Sequence, residues 1–146
     1  MKITVEEILQ QKGHDVWTIS PKATVMEALK LMAEKHIGAL VVVEDDQVVG
    51  IISERDYARK VTLLGKSSVN TPIKDIMTDK VYYVSPKASI QDCLALVTKQ
   101  SIRHLPVLEN GKLVGLISIG DVVRSIIGEQ ETTITQLSDY ITGKYI

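Results

Sequence analysis

The chain is poor in the residues that most often announce a function. It has one cysteine in 146 residues, so no internal disulfide can form and a reducing compartment is the fitting environment. Aromatic residues make up only 4%, too few for the stacking platforms that hold single-stranded nucleic acid. Neither sign of charge is in excess. The 17 basic and 18 acidic side chains leave a formal net charge of −1, which gives no footprint for duplex nucleic acid or an anionic membrane. No apolar run approaches membrane-spanning length, and no leader-like apolar stretch precedes a small-residue cleavage site. A cytoplasmic chain is expected, with no nucleic-acid and no membrane partner. Also missing are a Walker-type loop, a His/Cys/Asp cluster with metal-ligand spacing and an obvious nucleophile–base pair. No catalytic residue, metal site or catalytic cofactor is therefore expected.

What the chain does contain is the same message twice. Val16-Trp-Thr-Ile-Ser-Pro-Lys-Ala23 returns as Val81-Tyr-Tyr-Val-Ser-Pro-Lys-Ala88, and Gly50-Ile-Ile-Ser-Glu-Arg-Asp56 returns as Gly115-Leu-Ile-Ser-Ile-Gly-Asp121. The offset is a constant 65 residues from Val16 to Val61, with 17 of those 46 positions identical. A repeat of this length, present only twice, predicts a pseudo-symmetric pair of supersecondary units with a cleft between them. The length allows one compact module with a substantial core.

Each unit reads as βαββα. In the first, Val16–Ile19 is a short strand, and Thr24–His36 carries Val25, Ala28, Leu29, Met32 and Ala33 at helical spacing after a Thr24-Val-Met-Glu27 capping box. Ala39–Val43 is an apolar run suited to a strand covered on both faces. A polar turn, Glu44–Gln47, leads to the return strand Val48–Ile52 and a helix from Glu54 to Val61. The matching turn in the second copy, Glu109–Lys112, contains the Asn-Gly hairpin signal. The fold class is thus α/β, a tandem pseudo-two-fold repeat of βαββα motifs. In chain order, residues 1–62 form the first repeat with an N-terminal helix (Thr4–Gln11), 63–72 a linker, 73–128 the second repeat and 129–146 a C-terminal helical tail. Ile73–Met77 echoes Val5–Leu9 at an offset of 68, so the first unit carries three extra residues around Lys12-Gly13-His14. Cys93 aligns with Ala28 on an apolar helix face, and a small core residue is the plain reading. His14 and His36 read as surface residues.

The chemically suggestive pattern is Gly-apolar-apolar-Ser-x-x-Asp, placed in both copies where a strand ends and a helix begins. Such a junction suits phosphate, with the hydroxyl donating to it and the carboxylate accepting from ribose hydroxyls. Ser-x-x-Asp is equally a capping pattern that needs no ligand, and on the residues alone capping is the simpler account. Arg103-His104 aligns with Gly38-Ala39, so this charge stands in one copy only. It suits phosphate neutralisation or a solvated strand end. Glu54-Arg55 is charged where the second copy has Ile119-Gly120, so the two clefts are expected to be unequal.

The doubled Ser-Pro-Lys-Ala start, Ile102-Arg-His-Leu-Pro-Val-Leu108 and Gly115-Leu-Ile-Ser-Ile-Gly-Asp-Val-Val123 resemble a cystathionine-β-synthase (CBS) domain pair, or Bateman module, over roughly Val5 to Ile127. The resemblance implies two clefts for adenosyl ligands: AMP, ADP, ATP, NAD or S-adenosylmethionine. Carried over, one site uses Ser118 for phosphate and Asp121 for ribose, with Leu116 and Arg103 beside them, and Thr18, Ala23, Ile37, Gly38 and Ala39 around the adenine. The other uses Ser53 and Asp56, with Arg55 nearby, against Tyr83, Ala88, Ile102, Arg103 and His104. The Tyr83 ring is expected to crowd the second of these, which makes the Asp121 cleft the better purine pocket. The resemblance further implies a homodimer, with Val122, Val123, Ile126 and Ile127 as contact candidates, and a regulated protein partner. A ligand-independent dimerisation or interaction scaffold is the alternative.

Overall fold

The computed structural model describes residues 3–128; the expected tail helix through Ile134, Leu137, Ile141 and Tyr145 lies outside the described residues. Helix α1 (Val5–Lys12) comes first. The first repeat follows with β1 (Thr18–Ile19), α2 (Val25–Lys35), β2 (Ala39–Glu44), β3 (Gln47–Ser53) and α3 (Glu54–Tyr57). A short 3-10 turn, Ile73–Asp75, leads into the second repeat: α4 (Ile90–Gln100), β4 (His104–Glu109) and β5 (Lys112–Ser118). A last helix, α5, occupies residues 119–128.

The two repeats are built by the same local rules. Thr24 and Ser89 close capping boxes on α2 and α4, each satisfying two backbone donors that the first helical turn leaves free. Both helices end in a left-handed residue, His36 and Ser101. Each hairpin turns on two residues with positive φ, Asp45-Asp46 and Asn110-Gly111, the primed geometry that matches strand twist. The turns set the registers Glu44↔Gln47 and Glu109↔Lys112, and both ladders slip once, after Val42 and after Val107. β1 pairs parallel to β2. Its expected counterpart around Val81–Val84 shrinks to a single parallel bridge between Val84 and Val107. The helix expected over Glu54–Val61 also differs. After Tyr57 the chain widens to a π-helical turn, Ala58–Thr62, a feature often found beside functional sites. In this turn Val61 stays buried while Lys60 Nζ donates to Ile76 O at 2.9 Å.

Chain order and packing do not coincide. α1, grouped in sequence with the first repeat, inserts Val5, Ile8 and Leu9 into the core of the second, against Ile90, Cys93, Leu105, Val107, Ile117 and Val122. The segment that opens the second repeat does the reverse. Ile73 and Ile76 join Val25, Ala28, Met32, Leu40, Val42 and Ile52 in the first core. The backbone repeats the exchange at equivalent places: Val5 N donates to Ala88 O at 2.8 Å, and Ile73 N donates to Ala23 O at 2.8 Å. Two glycines permit it. A Cβ on Gly115 would stand 2.7 Å from Leu9 Cδ2, and one on Gly50 would stand 2.6 Å from Met77 Sδ. Each repeat is thereby closed by a segment lying outside it in sequence, and the crossing chains hold the two halves together. Cys93 is fully buried in the second core; burial, with Asp92 nearby, pushes its thiol up to about 11, so it is a packing residue with little thiolate character.

Candidate functional site

Both Ser-x-x-Asp junctions close as capping boxes. Ser53 N donates to Asp56 Oδ2 at 2.9 Å while Asp56 N donates to Ser53 Oγ at 3.3 Å. In the second copy Ser118 N donates to Asp121 Oδ2 at 2.8 Å and Asp121 N to Ser118 Oγ at 3.1 Å. The capping role is therefore realised twice. It occupies one carboxylate oxygen of each aspartate; the other oxygen meets a nearby cation in both copies, Lys60 at Asp56 and Arg124 at Asp121, and an added Lys12 on the capping oxygen distinguishes Asp121.

At Asp121 both oxygens are taken. Lys12 Nζ donates to Oδ2 at 2.7 Å and also to Leu116 O at 2.8 Å, while Arg124 Nη2 donates to Oδ1 at 2.8 Å. Burial alone would raise this carboxyl, but hydrogen bonds from Lys12 and Ser118 outweigh it and hold Asp121 below the usual carboxylate range. Lys12 comes from the three-residue excess of the first unit, delivered across the molecule by the docking of α1. The cavity beside Asp121 runs between α1 and α5, lined by Ile8, Gln11, Lys12, Arg124 and Ser125 among others. Thr18, Ala23, Ile37, Gly38, Ala39, Leu116 and Ser118 do not line it. Ala39 is buried in β2, and Ala23 and Ile37 pack on the first core. The expectation that Asp121 has the more open cleft thus meets an ion-paired carboxylate instead.

At Asp56 the structure is open. A cavity of about 450 Å³ is lined by Ser53, Arg55 and Asp56 from the first repeat and by Ile102, Arg103 and His104 from the second. These six sequence candidates come together here. Gly38, expected beside Asp121, belongs to this cavity, because the strand starts of both repeats face each other across it. Tyr83 does not fill it. Along this extended segment successive side chains point to opposite faces: Tyr82 lines the cavity and packs on the second core, while Tyr83 turns outward, 59% exposed. Ala88 also stands away, packed on the second core. Asp56 keeps Oδ1 toward the cavity, near Lys60 Nζ at 3.1 Å and Thr78 Oγ1 at 3.4 Å.

The sequence reading missed Arg59, Lys60, Thr78 and Lys80, which also line this space. Arg59 and Lys60 fall within the stretch expected as the helix Glu54–Val61, and the available signal was their position four residues or fewer after Asp56. Among the described residues, the Arg55, Arg59 and Arg103 guanidinium groups have no carboxylate at ion-pair distance. Their mutual repulsion lowers the Arg55 pKa, Arg59 first and Arg103 second. His104 is held below its ordinary pKa by burial, then by Lys12. The cavity can thus bind an anion at one end and hydrogen-bond a diol at Asp56. Among the described residues no three His, Cys, Asp or Glu side chains cluster for a metal, and no helix is long and apolar enough to cross a membrane.

Known proteins share this architecture. A protein with CBS domains from Burkholderia ambifaria superposes with a TM-score of 0.83 at 52% identity, over 88% of this chain and 96% of its own. The CBS domain-containing protein CBSX3, mitochondrial, of Arabidopsis thaliana is 38% identical over 97% of this chain and 73% of its length. The CBS domain pair of protein MJ0100, solved in complex with methylthioadenosine and S-adenosyl-L-methionine, has a TM-score of 0.79 at 25% identity, over 88% of this chain and 99% of its own. The CBS domain model itself matches residues 5–62 and 73–128, one match per repeat. With the crossed βαββα units and both Ser-x-x-Asp junctions in place, the chain belongs to the CBS domain family as a tandem pair of repeats.

Proposed function

We propose that the chain is a non-catalytic regulatory module that binds an adenine nucleotide (AMP, ADP, ATP or NAD) in the Asp56 cleft. The observation that carries this reading is the cavity of about 450 Å³ in which Ser53 and Asp56 of one repeat face Ile102, Arg103 and His104 of the other. Its size falls within the roughly 300–1,000 Å³ of small-molecule sites. In this reading Asp56 Oδ1 accepts from the ribose, Ile102 and His104 border the base, and Arg55 and Arg103 meet phosphate. The adenosyl ligands held by the CBS pair of protein MJ0100 support the ligand class. Because the site is made by both halves, a ligand that prefers one packing of the repeats shifts the population toward it, and a protein partner or second subunit reads the change. The second subunit would meet α5, where Ile119, Val123 and Ile127 recur every four residues with 36%, 40% and 54% of their surface exposed. The single thiol of Cys93 fits a reducing, cytoplasmic setting.

Thermal denaturation with AMP, ADP, ATP and NAD tests this reading, since a ligand that binds only the folded state raises the melting temperature. Asp56→Asn should abolish most of the shift, and hydrolysis of the nucleotide should stay at background. A second reading, a ligand-independent scaffold, draws on the closed capping boxes at both junctions. No shift with any nucleotide, in a chain that still dimerises, would decide for the scaffold.

A further inference from the structure

The cations of the Asp56 cleft are not a property of the repeat. Arg55, Arg59, Lys60, Lys80 and Arg103 all line it, with Glu54 and Asp56 as the carboxylates. At the positions 65 residues from Arg55, Arg59, Lys60 and Arg103 stand Gly120, Arg124, Ser125 and Gly38. Three of these four cations therefore have no counterpart in the other copy, and the counterpart of the fourth, Arg124, is spent on Asp121; Lys80 lies just before the stretch that this offset covers. Duplication supplied the framework, and the charge was concentrated at one of its two clefts.

The balance within the cleft is also uneven. Lys60 pairs with Asp56 at 3.1 Å, which leaves Arg55, Arg59, Arg103 and Lys80 against Glu54. An excess of three positive charges faces a cavity already shaped for a small molecule. Guanidinium groups present planar forks that match phosphate oxygens two at a time. The like charges repel one another, and an anionic tail removes that repulsion as it forms new hydrogen bonds. A nucleoside monophosphate brings two negative charges at most; a di- or triphosphate brings three or four.

We infer that the Asp56 cleft selects its ligand by tail charge, taking nucleoside di- and triphosphates in preference to monophosphates, free nucleosides and sulfonium-bearing adenosyl compounds. The inference rests on the nucleotide reading proposed above and adds to it which tail the cleft accepts. Arg59, Arg103 and Lys80 are its specificity-determining residues, since they meet the part of the ligand beyond the first phosphate.

Titration calorimetry with adenosine, AMP, ADP, ATP and S-adenosylmethionine, at low and moderate salt, tests it on wild type, Arg59→Ser and Arg103→Gly. The affected side chains are exposed, and circular dichroism establishes that the variants fold. ATP should bind roughly tenfold or more tightly than AMP, with the gap narrowing as salt screens it. In each variant the ATP-to-AMP ratio should fall toward one. An equal affinity for AMP and ATP, or S-adenosylmethionine binding as tightly as ATP, overturns charge selection while leaving a nucleotide site in place. Absence of binding by every ligand overturns the nucleotide reading itself.

Discussion

The exchange of segments between repeats predicts a specific coupling between Gly115 and Leu9. Leu9 is fully buried on α1, and a Cβ on Gly115 would lie 2.7 Å from its Cδ2 and 2.9 Å from its Cδ1. Gly115→Ala therefore overpacks this contact, at about 1–3 kcal/mol. Leu9→Ala removes three side-chain carbons from a closed core and should cost about 2–5 kcal/mol. In the double variant the methyl group introduced on β5 enters the space that the leucine vacates, so both the overpacking and part of the cavity disappear. The double variant should then be less destabilised than the sum of the singles by about 1–3 kcal/mol. Urea unfolding of the four proteins, fitted as two-state transitions, measures the cycle. Additivity within about 0.5 kcal/mol would refute the docking of α1 on β5, because side chains without a shared contact do not couple. Gly50→Ala gives the mirror experiment. It should cost at least as much, since its Cβ meets Thr78 O at 3.0 Å as well as Met77, and a backbone atom cannot swing aside.

The depressed pKa of Asp121 sets a pH dependence: its ion pairs stabilise the fold above the unfolded carboxylate pKa of about 3.9 and are lost as pH falls through the lower folded value. Acid unfolding of Asp121→Asn should lack this contribution at neutral pH and show a shallower loss below about pH 4; an identical acid profile would contradict the pairing. Lys12→Met leaves Arg124 and the cap on Asp121 but removes the Lys12 hydrogen bond, and should move the Asp121 titration up toward the ordinary carboxylate range in carbon-13 NMR; an unchanged titration would contradict the pairing. His104 should titrate below about 6.5 in proton NMR and move upward in Lys12→Met, since Lys12 is, after burial, its main depressing influence. Cys93, with its thiol near 11, should resist disulfide reagents in mildly alkaline buffer until the chain unfolds.

Local rules made most of the fold legible. Capping boxes at Thr24 and Ser89, apolar runs at Ala39–Val43 and the Asn110-Gly111 turn each specify their element through nearest neighbours. The constant 65-residue offset carried the second repeat over from the first. The partner of α1 was not legible. Its apolar face announces that it is buried, but periodicity is silent on which surface covers it, and chain order does not reveal that this surface belongs to the other repeat. The bond from Lys12 to Asp121 spans 109 residues, so no spacing rule reaches it. Tyr83 misled for a different reason: a one-residue alternation in an extended segment decides whether Tyr82 or Tyr83 faces the cavity, and the aligned position alone does not fix that phase.

The crossing of segments adds to the inequality of the clefts. Each cleft is bordered by the segment that crosses over to close the other repeat's core, so any difference between the two crossing segments is delivered to a cleft. α1 ends in Lys12, and its docking carries that ammonium onto Asp121. The second crossing segment continues into Thr78 and Lys80, which border the Asp56 cavity without sealing it. Asp56 Oδ1 meets Lys60 Nζ at 3.1 Å and Thr78 Oγ1 at 3.4 Å, whereas Asp121 carries two cations, Lys12 at 2.7 Å and Arg124 at 2.8 Å. The two crossing segments thus differ in what they bring: an ammonium onto Asp121 at one cleft, Thr78 and Lys80 to the border of the other. The asymmetry of the pair lies both at the crossing segments, which bring Lys12 to Asp121 and Thr78 and Lys80 to the Asp56 cavity, and within the βαββα units, where Arg55, Lys60 and Arg103 stand against Gly120, Ser125 and Gly38 although capping, turns and register stay alike.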